Sequence, residues 1–447
     1  MIMWLIVLLV LAIVFIVFAT ARLKMHAFLA LLLAAFGFGI LSGMPLDVVV
    51  KSVNDGFGGT IGYIGIVIVL GSVIGTFLEK SGGAWRLAEG ILKITGKKNV
   101  PLTMSIMGYV VSIPVFCDSG FVILSSLNKA LAKRAGITLA AGAIALSLGL
   151  YATHTMVPPT PGPIAAAGIL QADLGLVILW GMIIAAIACA AGWVFAVTVA
   201  AKVDVPPYKE GEEPTDLPSL ADAPGPLSSL LPIFLPIVLI VMKSLADFPS
   251  KPFGTGEAIR VIGFVGQPVV ALLIGFGLAL LLPKKLDREM LSNSGWLGQA
   301  IVASAIIILI TGAGGSFGKV LQNSGIAKMV GEGLSTWHLG IFLPFLIAAG
   351  IKTAQGSSTV AIITTAGLMA PLMVPLGFDE PTARALVVVV IGAGAMVVSH
   401  ANDSFFWVVT QFSNMTPEQG YRLQTLGTLV QGTVGAIAVF IAATIVL

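Results

Sequence analysis

Twelve apolar stretches divide the chain. Six lie at 2–20, 25–42, 59–79, 101–128, 138–153 and 164–201, and six more at 228–247, 261–282, 298–321, 339–374, 384–412 and 425–446. Most are near the ~20 residues that a membrane-spanning helix needs and far longer than a strand. The pattern predicts an all-α polytopic membrane protein with about 12 membrane segments. One long polar stretch interrupts it, "AKVDVPPYKEGEEPTDLPSLADAPGP", with six acids against Lys202 and Lys209. Its prolines and charge read as a linker. The expected organisation is therefore a membrane half at 1–201, an acidic cytoplasmic linker at 202–227 and a second membrane half at 228–447.

The halves resemble each other. "GSVIGTFLEKSG" (Gly71–Gly82) aligns without a gap on "GGSFGKVLQNSG" (Gly314–Gly325), and Thr153–His154 aligns with Ser399–His400 at nearly the same offset. Two matches in order predict an internal repeat. Lys and Arg then set orientation. With the N-terminus outside, sixteen basic residues fall in cytoplasmic loops and six in outer ones, leaving Lys319 and Lys352 at membrane depth. The basic loop 80–99 lies inside and its counterpart 323–338, with Lys328, outside, so the repeat is expected to be inverted. Inverted repeats accompany alternating access around a midplane site.

Composition narrows the class. The chain is 57% hydrophobic and 10% charged, against about 25% charge in a soluble domain. Its 52 glycines and 24 prolines suit membrane helices, whose neighbours re-satisfy a broken backbone. Cys117 and Cys189 sit in apolar context and suggest neither a disulfide nor a metal site. No cofactor is expected. The formal charge of +3 is topological and argues for no nucleic-acid partner. "MIMWLIVLLVLAIVFIVFATARLK" lacks a basic n-region and a cleavage site and reads as a retained first helix.

Each half contains a segment too long for one span and rich in helix breakers. In the first, "SIPVFCDSGFVILSSLNKA" (Ser112–Ala130) places Pro114 and then Asp118, Ser119 and Gly120 mid-membrane. In the second, Gln355, Gly356, Ser357, Ser358 and Thr359 interrupt "IKTAQGSSTVAIITTAGLMAP". Both read as re-entrant hairpins with unwound tips, which the bilayer tolerates only where protein or a wet cavity covers them. Half-helix N-termini there would face an anion favourably. Each half then breaks again: "YATHTMVPPTPGPIAAAG" after His154, and "VSHANDSFFWVV" at His400, Asn402 and Asp403.

The candidate substrate-binding set is Lys352, Gln355, Ser357, Ser358, Thr359, Ser119, Gly120, His154, His400 and Asn402; the proton-coupling candidates are Asp118 and Asp403. A charge at Lys352's depth costs several kcal/mol unless something compensates it. The compensation is either a substrate carboxylate or an ion pair with Asp118 or Asp403. Asp118 either carries a proton or serves as a structural partner. The histidines either relay protons or bond hydroxyls, and Asp403 alternatively caps the half-helix that follows. The serine and threonine run 357–359 binds hydroxyls or packs as small residues. Lys319 reads as reaching an interface. "TGAGGSFGK" (Thr311–Lys319) is not a phosphate loop, because it lacks the Walker spacing and a preceding strand.

"LSGMPLDVVVKSVNDGFGGTIG", "GFVIL", "PPTPGPIAAAGILQADLG", "GSSTVAIITTAG" and "SHANDSFFW" together resemble the gluconate permease (GntP) family within the ion transporter superfamily, across the whole chain. The resemblance implies a symporter of the bacterial inner membrane that imports gluconate or a related hydroxy monocarboxylate with protons. It implies two inverted halves with hairpins, and the wider superfamily suggests a homodimer. Polar family positions fall on Asp118, His154, Lys352, Ser357, Thr359, His400, Asn402 and Asp403. Where the gluconate members carry arginine, glutamate and histidine, this chain has Lys352, Asp118 and Thr160. Shorter or less forked groups extend the expected ligands to D-glycerate and D-serine, and sodium is the alternative coupling ion. The competing classes are an anion channel using the same pore and an intramembrane enzyme. The latter lacks an acid-rich metal motif or His-Glu-x-x-His. A primary pump would need a nucleotide domain.

Overall fold

The structure is a computed structural model, and it describes residues 2–96, 99–208, 223–247, 253, 256–325, 340–401 and 403–447. Among these residues the chain is helical, with no strand. The acidic run Glu210–Asp222, Lys97, Lys98, Lys251, most of loop 323–338 and Asn402 lie outside the described residues.

The first half opens with α1 (Ile2–Ala21), α2 (Ala27–Leu41), α3 (Leu46–Lys80) and α4 (Gly83–Thr95). It continues with α5 (Val100–Val111), α6 (Cys117–Ala135), α7 (Leu139–Met156), α8 (Pro161–Leu170) and α9 (Leu174–Thr198). The second half contains α10 (Pro226–Ala246), α11 (Glu257–Val265), α12 (Pro268–Ala279) and α13 (Trp296–Asn323). After these come α14 (Phe342–Gln355), α15 (Ser358–Met369), α16 (Pro381–Gly394), α17 (Ser404–Phe412) and α18 (Leu426–Val446). Among the described residues five helical segments are long and apolar enough to cross a membrane, and counting each of two bent pairs as one span brings the total to seven. Shorter apolar helices such as α5, α14, α15 and α16 account for much of the remainder of the sequence pattern.

The order of elements recurs. In each half a long helix (α3, α13) precedes two half-helices around a break, then another helix, a second break, a further half-helix and a final long helix. The long helices also end alike. Ser81 and Ser324 each donate back to a leucine carbonyl, Leu78 O and Leu321 O, before a left-handed glycine, Gly82 at φ 79° and Gly325 at φ 77°. Only glycine takes that conformation without a Cβ clash.

The breaks differ in detail from the sequence expectation. The first lies at 112–116, around Pro114, and Asp118, Ser119 and Gly120 already belong to the first turn of α6. Pro114 lacks an N–H and disfavours helix at Ile113, so the chain re-enters a helix as soon as it is past Phe116. At the tip between α14 and α15 only Gly356 and Ser357 are non-helical. Gly356, at φ 94°, ends α14, and Ser357 caps α15 by accepting from Val360 N at 3.3 Å. The proline run after α7 splits its roles. Pro158 and Pro159 occupy the break, whereas Pro161 and Pro163 sit in the first turn of α8, which needs no N–H donors.

The two halves are interleaved rather than separate bodies. Helices α3 and α13 cross closely: a Cβ at Gly56 would come within 2.5 Å of Gly315 O, and Ser316 donates to Val53 O at 2.8 Å. Small residues permit such backbone approach where lipid supplies no hydrophobic drive. α8 packs on α15, with Gly162 beneath Ile362. α7 is buried along its whole length, between α5 and α9. The breaks of both halves meet beside it.

Candidate functional site

A cavity of about 240 Å³ lies where α6 and α7 meet the second break and the tip between α14 and α15. It is lined by Asp118 and Cys117 from α6, Tyr151 and His154 from α7, Gly356 to Thr359 from the tip, and Asp403 to Phe405 from the start of α17. Three half-helices, α6, α15 and α17, begin at this cavity, so their N-terminal N–H groups and dipole ends converge on it. A further cavity, about 290 Å³, lies one turn along α6, between Val122, Lys129 and Phe412.

Lys352 is not in the lining. Its side chain is fully buried, and Nζ donates to Asp403 Oδ2 at 2.7 Å and to the carbonyl of Gly356. Nζ also lies 5.8 Å from the centre of the Tyr151 ring, within cation–π range. The charge that the sequence leaves unexplained is thus met by a carboxylate, a carbonyl and an aromatic face. Asp403 is equally committed. Oδ2 also accepts from Ser399 Oγ at 2.6 Å and Tyr151 OH at 3.2 Å, and Oδ1 caps α17 by accepting from Phe405 N at 3.1 Å. A pair this dry is held only when its other lone pairs and protons find partners, and here Gly356 O, Ser399, Tyr151 and Phe405 N supply them.

The backbone around the pair is anchored from behind. Ser399 N donates to Thr428 Oγ1 at 3.0 Å, and Thr425 Oγ1 donates to Ser399 O at 2.5 Å. Thr425 closes a π-helical turn, Tyr421–Thr425, that leads into α18. Such turns concentrate near functional sites. Val398, in the same break, holds φ 57°, which is unusual for a β-branched residue.

Asp118 is the contrasting acid. It is half-buried, faces the cavity, and among the described residues its side-chain contacts are long, from Ser404 Oγ at 3.5 Å and Cys117 Sγ at 3.6 Å. No cation pairs with it among the described residues. His154 is buried at the cavity wall, stacked 6.5 Å from Tyr151 at 10°, and its Nδ1 has no hydrogen-bond partner among the described residues.

Of the sequence candidates, the cavity brings together Asp118, His154, Ser357, Ser358, Thr359 and Asp403. Lys352 stands behind them. Ser119 sits beside Glu79, and Gly120 packs on α7, where a Cβ would come within 2.7 Å of Leu150. His400 bonds the carbonyl of Thr353 at 2.8 Å and does not line the cavity. The side chain of Gln355 lies outside the described residues, as does Asn402. Tyr151 is the residue that sequence reasoning missed. Its hydroxyl bridges Ser358 Oγ at 2.6 Å to Asp403. The available signal was its position three residues before His154, on the same face of one helix.

A multi-pass helical protein with a polar cavity among half-helix termini, deep in an apolar body, has the architecture of a membrane transporter. The particular family follows from comparison. The GntP family permease profile matches residues 4–445, and the chain belongs to that family. It is 35% identical to the gluconate permease of Pseudomonas aeruginosa, over 94% of this chain and 93% of the relative. It is 33% identical to the low-affinity gluconate transporter of Escherichia coli K12, over 96% of each chain. Among solved structures, the Alcanivorax borkumensis YdaH transporter, described as having an unusual topology, superposes with a TM-score of 0.66. That match covers 94% of this chain and 98% of the other at 14% identity, a likeness of fold.

Proposed function

We propose that this chain is a proton-coupled symporter of the bacterial inner membrane that imports gluconate or a related small hydroxy monocarboxylate by alternating access. The observation that carries the reading is a charge count. Lys352 and Asp403 cancel each other. Asp118 remains as the one unpaired charge among the described lining residues. An anionic substrate entering beside it meets repulsion unless a cation accompanies it, and a proton on Asp118 removes the conflict. Coupling then follows from electrostatics: substrate and proton load together and leave together.

In this reading the substrate carboxylate sits at the N-terminus of α15, against Ser357 to Thr359, where the dipole end is positive. His154 Nδ1 and the hydroxyls of Ser358 and Thr359 take substrate hydroxyls. Lys352 acts through Asp403 and Gly356, holding both breaks in register. The halves are taken as inverted repeats with re-entrant hairpins. The N-terminus faces outward, so the Lys129 and Lys133 end of α6 faces the cytoplasm, and the protein is taken as a homodimer. The relatives' names support gluconate; the lysine at 352 and aspartate at 118 keep D-glycerate and D-serine in the panel.

The test is uptake into proteoliposomes under an imposed inward proton gradient, with labelled gluconate, D-glycerate and D-serine in parallel. Concentrative uptake of one, collapsed by a protonophore, is expected. Uptake that only equilibrates, insensitive to the gradient, would make the protein a channel instead. Accumulation driven by sodium alone would replace the proton.

A further inference from the structure

A second cavity lies apart from the one at the breaks. It encloses about 540 Å³ at the opposite ends of α8 and α15, against α3, α13 and the start of α16. α15 has 12 residues, which at 1.5 Å each separate the two cavities by about 18 Å along its axis. Between them α8 and α15 are packed tightly, with almost every side chain buried.

Its lining is polar and carries two cations. Arg384 donates through Nε to Asp379 O at 2.9 Å and through Nη1 to Leu170 O at 2.7 Å. Lys319 donates to the Gln322 amide oxygen at 3.0 Å. All three acceptors are neutral, and neither cation forms an ion pair among the described residues. Asp55 is the one acid among the described lining residues, so the lining side chains carry two cations against one acid. Gln171, Gln322 and Tyr63 add amide and hydroxyl groups. A concave wall with uncompensated cations concentrates anions and raises their encounter rate.

We propose that this cavity is a second site, a vestibule that collects small hydroxy carboxylates on the face opposite the Lys129 end of α6. Its ligand class rests on the transport reading above; its charge selectivity does not. The vestibule raises the local concentration of anions at the closed side of the α8–α15 seal, before the central cavity opens to that side.

Thiol labelling of the detergent-purified full chain tests this without any transport. Val374 is on the rim and 64% exposed, so Val374→Cys presents a reactive thiol; the native Cys117 and Cys189 are buried and set the background. A sulfonate-bearing thiosulfonate reagent and its trimethylammonium counterpart are compared at low salt, each normalised to a free thiol. The net charge predicts labelling about fourfold faster for the sulfonate reagent, with the preference fading in high salt. Adding Lys319→Glu should reverse the preference, and millimolar gluconate should slow labelling of the parent variant. Gln322→Cys gives the same comparison from the opposite wall. Equal normalised rates, or a preference indifferent to Lys319→Glu, overturn the vestibule. A charge preference in a protein that takes up no hydroxy acid would sink the transport reading and leave the vestibule standing.

Discussion

Asp118 and Asp403 line one cavity and are opposites. Asp403 accepts four hydrogen bonds and neutralises a fully buried lysine. Asp118 has two long contacts and faces open space. The same side chain is a fixed structural charge in one place and a free charge in the other, and the difference is made entirely by partners. The proposed cycle uses one group of each kind: a hydrogen-bonded ion pair that holds the framework, and an unpaired carboxylate open to a proton.

The contrast is most sharply broken at its rigid member. Asp403→Ala strands the Lys352 charge in a dry interior, and losing one partner of a buried pair costs about 3–5 kcal/mol. Thermal unfolding in detergent should show a large fall, with Lys352→Ala close behind. Lys352→Met combined with Asp403→Leu should recover most of the stability, because no buried charge is then unpaired. A double variant as unstable as the singles would mean the pair is not the reason for their loss. Tyr151→Phe comes next. It removes the hydroxyl bridging Ser358 and Asp403, for about 1 kcal/mol, and should weaken substrate binding several-fold by calorimetry while leaving the fold intact. His154→Phe should keep the stack on Tyr151 and lose the free Nδ1, which predicts weaker binding with unchanged melting. A fall in melting temperature there would assign His154 to packing alone. Ser404→Ala is the mildest: its contact to Asp118 is long, so stability should move by no more than a few tenths of a kcal/mol.

Much of this arrangement is readable from the chain. The breaks announce themselves through Pro114, the proline run after His154, and Gly356 with its serines, because these residues cannot continue a helix or readily cap one. The repeat of long helices is visible in the matched glycines that end α3 and α13. The facing of each polar residue is not readable in the same way. α14 is apolar up to its last turn, so no polar stripe marks which of its faces meets the cavity. Lys352 therefore reads equally well as a ligand or as half of an ion pair until Asp403 is placed beside it. His154 and His400 align in sequence, yet one lines the cavity and the other bonds a carbonyl. Repeat position sets where a backbone goes, whereas neighbours from the other half decide what each side chain meets. Tyr151 carried only the weak signal of its place three residues before His154 on one helix face.

The account rests on Asp118 being the charge that moves, and one variant addresses that alone. Asp118→Asn, reconstituted into proteoliposomes, is compared with the parent chain for substrate exchange without a gradient and for accumulation under an inward proton gradient. The asparagine keeps the shape and mimics the protonated acid. The account predicts exchange that persists while accumulation is lost. Accumulation equal to the parent's would place the coupling proton elsewhere and contradict it.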